Sequence, residues 1–156
     1  EVQPITEGYH KGSIVKGVDN LLPANYKFIT LEENILVSGM GGDMLNVEDK
    51  HLYLSASKGR WTKRAYVLVD VTNYTRMVAV GSRSSVWGSF VGVELAKTPT
   101  GTAAASGSFA VTDKSKVVTA AFVDCSELTG NYYAIFRTAS TDEAEQIGRL
   151  YLWYLS

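Results

Sequence analysis

Residues of alternating character recur at every second position in one segment after another of this chain. In Ala65 to Val71, Ala65, Val67, Val69 and Val71 fall on one side, and Tyr66, Leu68 and Asp70 fall on the other. Arg76 to Gly81, Ser89 to Leu95, Val117 to Asp124 and Tyr132 to Ala139 read the same way, and Leu150 to Leu155 closes the chain. A period of two puts neighbouring side chains on opposite faces of a strand. Each segment therefore has one face to bury and one to expose, which calls for stacked sheets and not a helical core. Earlier segments are shorter: Ser13 to Val15, Tyr26 to Leu31 after the turn signal Pro23-Ala24-Asn25, Ile35 to Ser38, and His51 to Ser57. With about ten short strands the alternatives are two sheets face to face or a closed barrel, and strands of about six residues favour the sandwich. The expectation is an all-β chain folded as a two-sheet antiparallel β-sandwich.

Between the strands, the Thr-, Ala-, Ser- and Gly-rich stretch Ala96 to Gly107 has little bulk to pack and reads as a long exposed loop or wide hairpin. Asp124 to Gly130 and Thr141 to Gln146 are the two places where a short helical turn fits. No repeat or linker divides the chain. Residues 1–156 read as one domain, with 1–25 a loosely packed lead-in, and a start at Glu1 without Met reads as a fragment of a longer protein.

With 46% hydrophobic residues the chain is not a disordered one, and its formal net charge of −1 gives no general attraction to nucleic acid or to an anionic membrane. No apolar run approaches the roughly 20 residues of a spanning helix. The lone Cys125, at the end of an apolar strand, reads as a half-buried, inert thiol.

Catalytic signatures are missing. His10 and His51 stand outside any nucleophile elbow or metal-binding helix motif, and Gly39-Met40-Gly41-Gly42 lacks the Lys-Ser/Thr pair of a phosphate loop. Asp70 and Glu94 are the acids to test for a glycan-active hydrolase, if their strands bring them to one cleft. The expectation is a protein that is not an enzyme. No cofactor is implied. The acidic runs Asp43, Glu48, Asp49 and Asp142, Glu143, Glu145 read as solvated surface and leave a structural calcium ion open.

Aromatic loops carry the stronger signal. Trp61 lies among Lys58, Arg60, Lys63 and Arg64 between two strands, and Trp87 follows Arg83 in a Ser/Gly-rich loop. An indole in such a turn either stacks on the apolar C–H face of a sugar or folds back to plug the end of the sandwich. The ligand-binding candidates are Trp61 and Trp87 for stacking, with Arg60, Arg83 and Tyr74 to orient hydroxyls or an acidic group. Trp153 shares a strand face with Tyr151 and Leu155 and is expected in the core. Asn73-Tyr74-Thr75 matches a glycosylation acceptor, which carries meaning only in a host that glycosylates such sites.

The run Tyr66-Val67-Leu68-Val69-Asp70-Val71-Thr72-Asn73-Tyr74-Thr75-Arg76-Met77-Val78 resembles the β-jelly-roll modules of the galactose-binding-like type. Leu128 to Arg137 is similar to their Gly-x-Tyr strand, and Leu150 to Tyr154 to their closing strand. The resemblance covers residues 65 to 156. Such modules occur as carbohydrate-binding modules and in phage tail fibres and other host-recognition proteins. It implies a jelly roll and a non-catalytic, lectin-like module of a larger extracellular or virion-surface protein, with a glycan or polysaccharide as partner. Neither nucleic acid nor membrane insertion is implied. Glycan-binding members often carry an acid at a calcium site in the closing strand, and Arg149 to Ser156 has none. The rival readings are a receptor-binding or structural head of a homotrimeric fibre, and a small hydrolase.

Overall fold

A computed structural model describes residues 26–29, 36–39, 45–48, 51–56, 62–83, 90–109, 118–139 and 146–156. Among these there is no helix. The strands are β1 (Lys27–Phe28), β2 (Leu36–Gly39), β3 (Leu45–Glu48), β4 (His51–Ala56), β5 (Thr62–Asp70), β6 (Arg76–Arg83), β7 (Phe90–Ala96), β8 (Ala103–Ser108), β9 (Thr119–Asp124), β10 (Asn131–Ala139) and β11 (Gln146–Leu155). They form two antiparallel sheets. The first runs β3-β4-β11-β6-β9, with β1 also paired to β11, and the second runs β2-β5-β10-β7-β8. From β4 onward the chain crosses between sheets at nearly every step, the winding of a jelly roll.

The alternation explains the layers. Ala65 and Val67 of β5, Val91, Val93 and Leu95 of β7, and Ala134 and Phe136 of β10 turn inward from the second sheet. They meet Leu52 and Leu54 of β4, Met77 and Ala79 of β6, Ala121 and Val123 of β9, and Leu150, Trp153 and Leu155 of β11. Phe109 closes against Phe136 edge-to-face, with ring centroids 6.1 Å apart. The layers pack tightly at Gly148, where a Cβ would lie 2.8 Å from both Phe136 and Val91. Any side chain there would force the layers apart.

Trp153 is fully buried, as its strand pattern predicts. The neighbouring grouping needs correction. The β11–β6 register slips between Leu150 and Leu152, so an extra residue separates the inward Leu150 from the inward Trp153. Tyr151 is taken out of strict alternation and is half-buried. Two further segments take definite form. Of the loop or wide hairpin expected at 96–107, the structure has the hairpin: its second arm, β8, pairs with β7, and its Ala105 packs on the core. Small side chains suffice there because β7 offers an open edge and because β8 must pass close to β9. A Cβ on Gly107 would collide with the Phe122 carbonyl oxygen. The segment 124–130 is a tight turn and not a helical one: Leu128 N–H donates to Cys125 O at 3.0 Å, and Gly130 takes a positive φ of 87°. Cys125 is fully buried, its thiol donating to Tyr74 O at 3.6 Å, and burial pushes its pKa up. Residues 1–25 and 141–145, with their expected lead-in, strand and helical turn, lie outside the described residues.

Candidate functional site

Trp61, Trp87 and Arg60 lie outside the described residues. The structure places the other two ligand candidates apart. Tyr74 sits in the β5–β6 turn and packs half-buried on the core. Arg83 ends β6 at the far end of that strand, about 25 Å away by strand rise. Arg83 is buried, in the same inward row as Leu54 and Gly148, and burial lowers its guanidinium pKa. Tyr74 and Arg83 therefore do not share one surface.

The hydrolase pair is also separated. Asp70 is opposite Asn131, and Glu94 is opposite Ile135 across β10. Four residues of rise and two strand spacings put their backbones about 17 Å apart. Glycosidase carboxyl groups stand roughly 5–9.5 Å apart. Asp70 is also engaged in its turn: its Oδ1 accepts from Thr72 N–H at 3.0 Å, and bonds to Thr72 hold its pKa below the usual carboxylate value. Among the described residues no three His, Cys, Asp or Glu side chains cluster as metal ligands would.

The register instead assembles a surface that sequence spacing conceals. The outward positions of β5 are Arg64, Tyr66, Leu68 and Asp70, and those of β10 are Asn131, Tyr133, Ile135 and Arg137. Antiparallel pairing sets Arg64 opposite Arg137, Tyr66 opposite Ile135, Leu68 opposite Tyr133 and Asp70 opposite Asn131. On the other side of β10, β7 places Glu94 beside Ile135 and Gly92 beside Arg137, and β8 adds Ser106 and Ser108. Four rows two residues apart span about 20 Å along the strands.

The middle of this face is unusual for an outer surface. Ile135 is fully buried and Glu94 is 4% exposed, while Tyr66 and Tyr133 rise half-exposed around them. The two rings meet edge-to-face, centroids 5.8 Å apart at 84°. Leu68, 53% exposed, extends the apolar patch beside Tyr133. Polar groups border it. Arg137 Nη1 lies 3.5 Å from Glu94 Oε2. Arg64, half-buried, has its pKa lowered first by burial and then by Arg137, with Glu94 acting in the opposite direction. Its Nε is buried without a hydrogen-bond partner among the described residues. An aromatic and aliphatic platform flanked by guanidinium, carboxylate, amide and hydroxyl groups can stack on an apolar ring face and hydrogen-bond at the ring's edge.

Sequence reasoning put Tyr66, Leu68 and Asp70 on one face but did not see the site. The signal was present in the outward residues of β5 and β10, where tyrosine and arginine stand in place of Thr, Ser or Lys. Joining those strands required the register.

No family model and no curated protein matches this chain. Solved structures do. A family 29 carbohydrate-binding module superposes with a TM-score of 0.55 at 11% identity, covering 85% of this chain and 92% of that one. The family 11 module of a cellulosomal cellulase from Clostridium thermocellum gives a TM-score of 0.52 at 10% identity, covering 86% and 95%. The glycoside hydrolase domain of Endo-D from Streptococcus pneumoniae R6 gives 0.54 at 16% identity over 78% of this chain, which spans only 21% of that structure's length. In fold, this chain is a two-sheet β-sandwich similar to carbohydrate-binding modules.

Proposed function

We propose that the chain is a non-catalytic carbohydrate-binding module of a larger extracellular or virion-surface protein. Its binding surface is the outer face of the five-stranded sheet. Tyr66, Tyr133 and Leu68 offer the stacking area, and Arg64, Arg137, Glu94 and Asn131 address hydroxyls around it. The observation that carries this reading is the half-exposed Tyr66–Tyr133 pair on the two adjacent strands β5 and β10, ringed by polar side chains. The fold supports it, since this chain matches nearly the whole length of two such modules. Trp61 and Trp87, with Arg60, join the proposal as loop contacts. In sequence, Arg60 and Trp61 directly precede β5, and Trp87 lies between β6 and β7. The acids once paired as hydrolytic candidates are too far apart to act together, which favours binding over turnover.

The test is a glycan array followed by calorimetric titration of the best ligand. Tyr66→Ala and Tyr133→Ala are each expected to weaken binding about tenfold or more, as loss of a stacking anchor does. Trp61→Ala and Trp87→Ala report separately on the loops. Unchanged affinity in both tyrosine variants would remove the sheet face as the site.

A further inference from the structure

We infer that Phe122 carries a second glycan contact, on the outer face of the first sheet, so that the chain holds two sugars on opposite sides; this rests on the reading that the chain binds glycans. β9 is the last strand of the first sheet. Its residues Ala121 and Val123 point into the core, and Ala120, Phe122 and Asp124 point outward. The core therefore asks for no side chain at 122, and a small or polar residue would serve the strand. A phenyl ring stands there instead, 52% exposed. It lies outside the cluster that Tyr26 and Phe28 cover, two strands from Tyr154 in the same row. Val118 and Ala120, both exposed, extend the apolar strip.

Polar groups stand at the end of this strip, open to solvent. Arg76 and Asp124 are cross-strand partners one row from Phe122, and both are exposed. The Arg76 guanidinium is 5.1 Å from the ring centroid, and the ring keeps its exposure with that group in place. No hydrogen bond or ion pair engages this guanidinium among the described residues. Asp124 Oδ1 accepts from Ser126 N–H at 2.9 Å and from its hydroxyl at 2.6 Å, while Oδ2 has no partner among the described residues. A ring face with a donor and an acceptor at its edge suits a sugar: C–H groups stack, and hydroxyls accept from guanidinium and donate to carboxylate. The size of the patch decides between a sugar and a second copy of the chain. Three apolar residues of one strand fall far short of the roughly 20–30 residues a side of a stable protein interface. The sheets pack roughly 10 Å apart, so Phe122 and the Tyr66–Tyr133 pair point in opposite directions and no single sugar reaches both.

The experiment follows backbone amide shifts by NMR while cellotriose, xylotriose, laminaritriose and mannotriose are titrated, chains too short to run from one face to the other. At least one should move two separate groups of amides, one around Tyr66 and Tyr133 and one around Phe122 and Arg76. Phe122→Ala, whose fold is checked by its thermal midpoint, should abolish the second group and leave affinity at the first within about twofold. The Tyr66→Ala, Tyr133→Ala double variant should do the reverse. Arg76→Gln should weaken the Phe122 site about fivefold, through loss of a charge-assisted hydrogen bond. Shifts at the tyrosines alone, with Phe122→Ala binding as the unaltered chain does, overturn the inference and leave the sheet-face proposal standing. Shifts around Phe122 alone, abolished in Phe122→Ala, remove the sheet face and keep the Phe122 contact. A sedimentation mass that rises with protein concentration, and does not in Phe122→Ala, assigns the ring to contact between copies and overturns the inference. If no trisaccharide moves either group, both readings fail together.

Discussion

The two outer faces of this sandwich treat their aromatic residues differently. On the first sheet, Val78, Leu152 and Tyr154 form a second apolar cluster, and Tyr26, Phe28 and Val80 pack against it. The segment 26–29 is held in place by β1–β11 pairing and by Ile29 N–H donating to Trp153 O at 2.8 Å. Near the β9 edge, Phe122 remains 52% exposed, with the Arg76 guanidinium 5.1 Å from its ring centroid. On the second sheet, Tyr66 and Tyr133 stay half-exposed, and the groups bordering them are charged. An aromatic ring on a sheet surface gains from being covered whatever covers it. On the first face the segment 26–29 covers the Val78–Leu152–Tyr154 cluster, while Tyr53, under the Arg149 guanidinium at 5.0 Å, stays half-exposed. The second combines rings with hydrogen-bonding groups, a mixture that suits a polar ring such as a sugar better than another piece of core.

Truncating the covered face should do the most damage. Leu152→Ala removes a fully buried side chain and is expected to cost about 2–4 kcal/mol in denaturant unfolding, with glycan affinity unchanged. The matching truncation on the open face, Tyr133→Ala, should cost about 1 kcal/mol, because its ring is already half in water. Equal losses from the two variants would erase the distinction between core-like and ligand-like faces.

A smaller effect concerns the charges. Glu94→Gln leaves two facing guanidinium groups without their carboxylate. The expected loss is about 1–3 kcal/mol, below that of a fully buried pair because the Arg137 side chain is 30% exposed. Adding Arg64→Gln in the same chain should recover part of the loss by relieving the cross-strand repulsion. A double variant no more stable than Glu94→Gln alone would show that the arginines do not oppose each other.

The smallest effect lies at the turn end shared by both sheets. Asp70 and Asp124 each accept backbone N–H groups two residues ahead, Thr72 at 3.0 Å and Ser126 at 2.9 Å. These bonds hold both carboxyls below the ordinary value of 3.8. A depressed folded pKa means their stabilisation is complete above that value and is lost as pH falls through the lower, folded one. Thermal midpoints should therefore decline below about pH 4, and the decline should be shallower in an Asp70→Asn, Asp124→Asn double variant. Both groups are fully solvated, so the change should be slight. Identical acid profiles would separate these turns from the acid sensitivity of the fold.

What the amino-acid order settled alone is the local part. Alternation along 65–71, 91–95 and 119–124 separates inward from outward residues, because a pleated strand admits only two sides. Trp153 could be assigned to the core for that reason. The order left 96–107 open between a long loop and a wide hairpin, because the Ala103–Ser108 side chains lack bulk; β8 forms where β7 has an edge to pair. Nor could it show the slip at Tyr151, a mismatch between two paired strands and not a property of either. The candidate site belongs to the same class. Arg64 and Tyr66, Glu94, and Tyr133 and Arg137 are far apart along the chain, and only hydrogen-bond register between β5, β10 and β7 brings them onto one surface. Periodicity is encoded within a strand, whereas register is a choice among strands, made by the summed packing of the core.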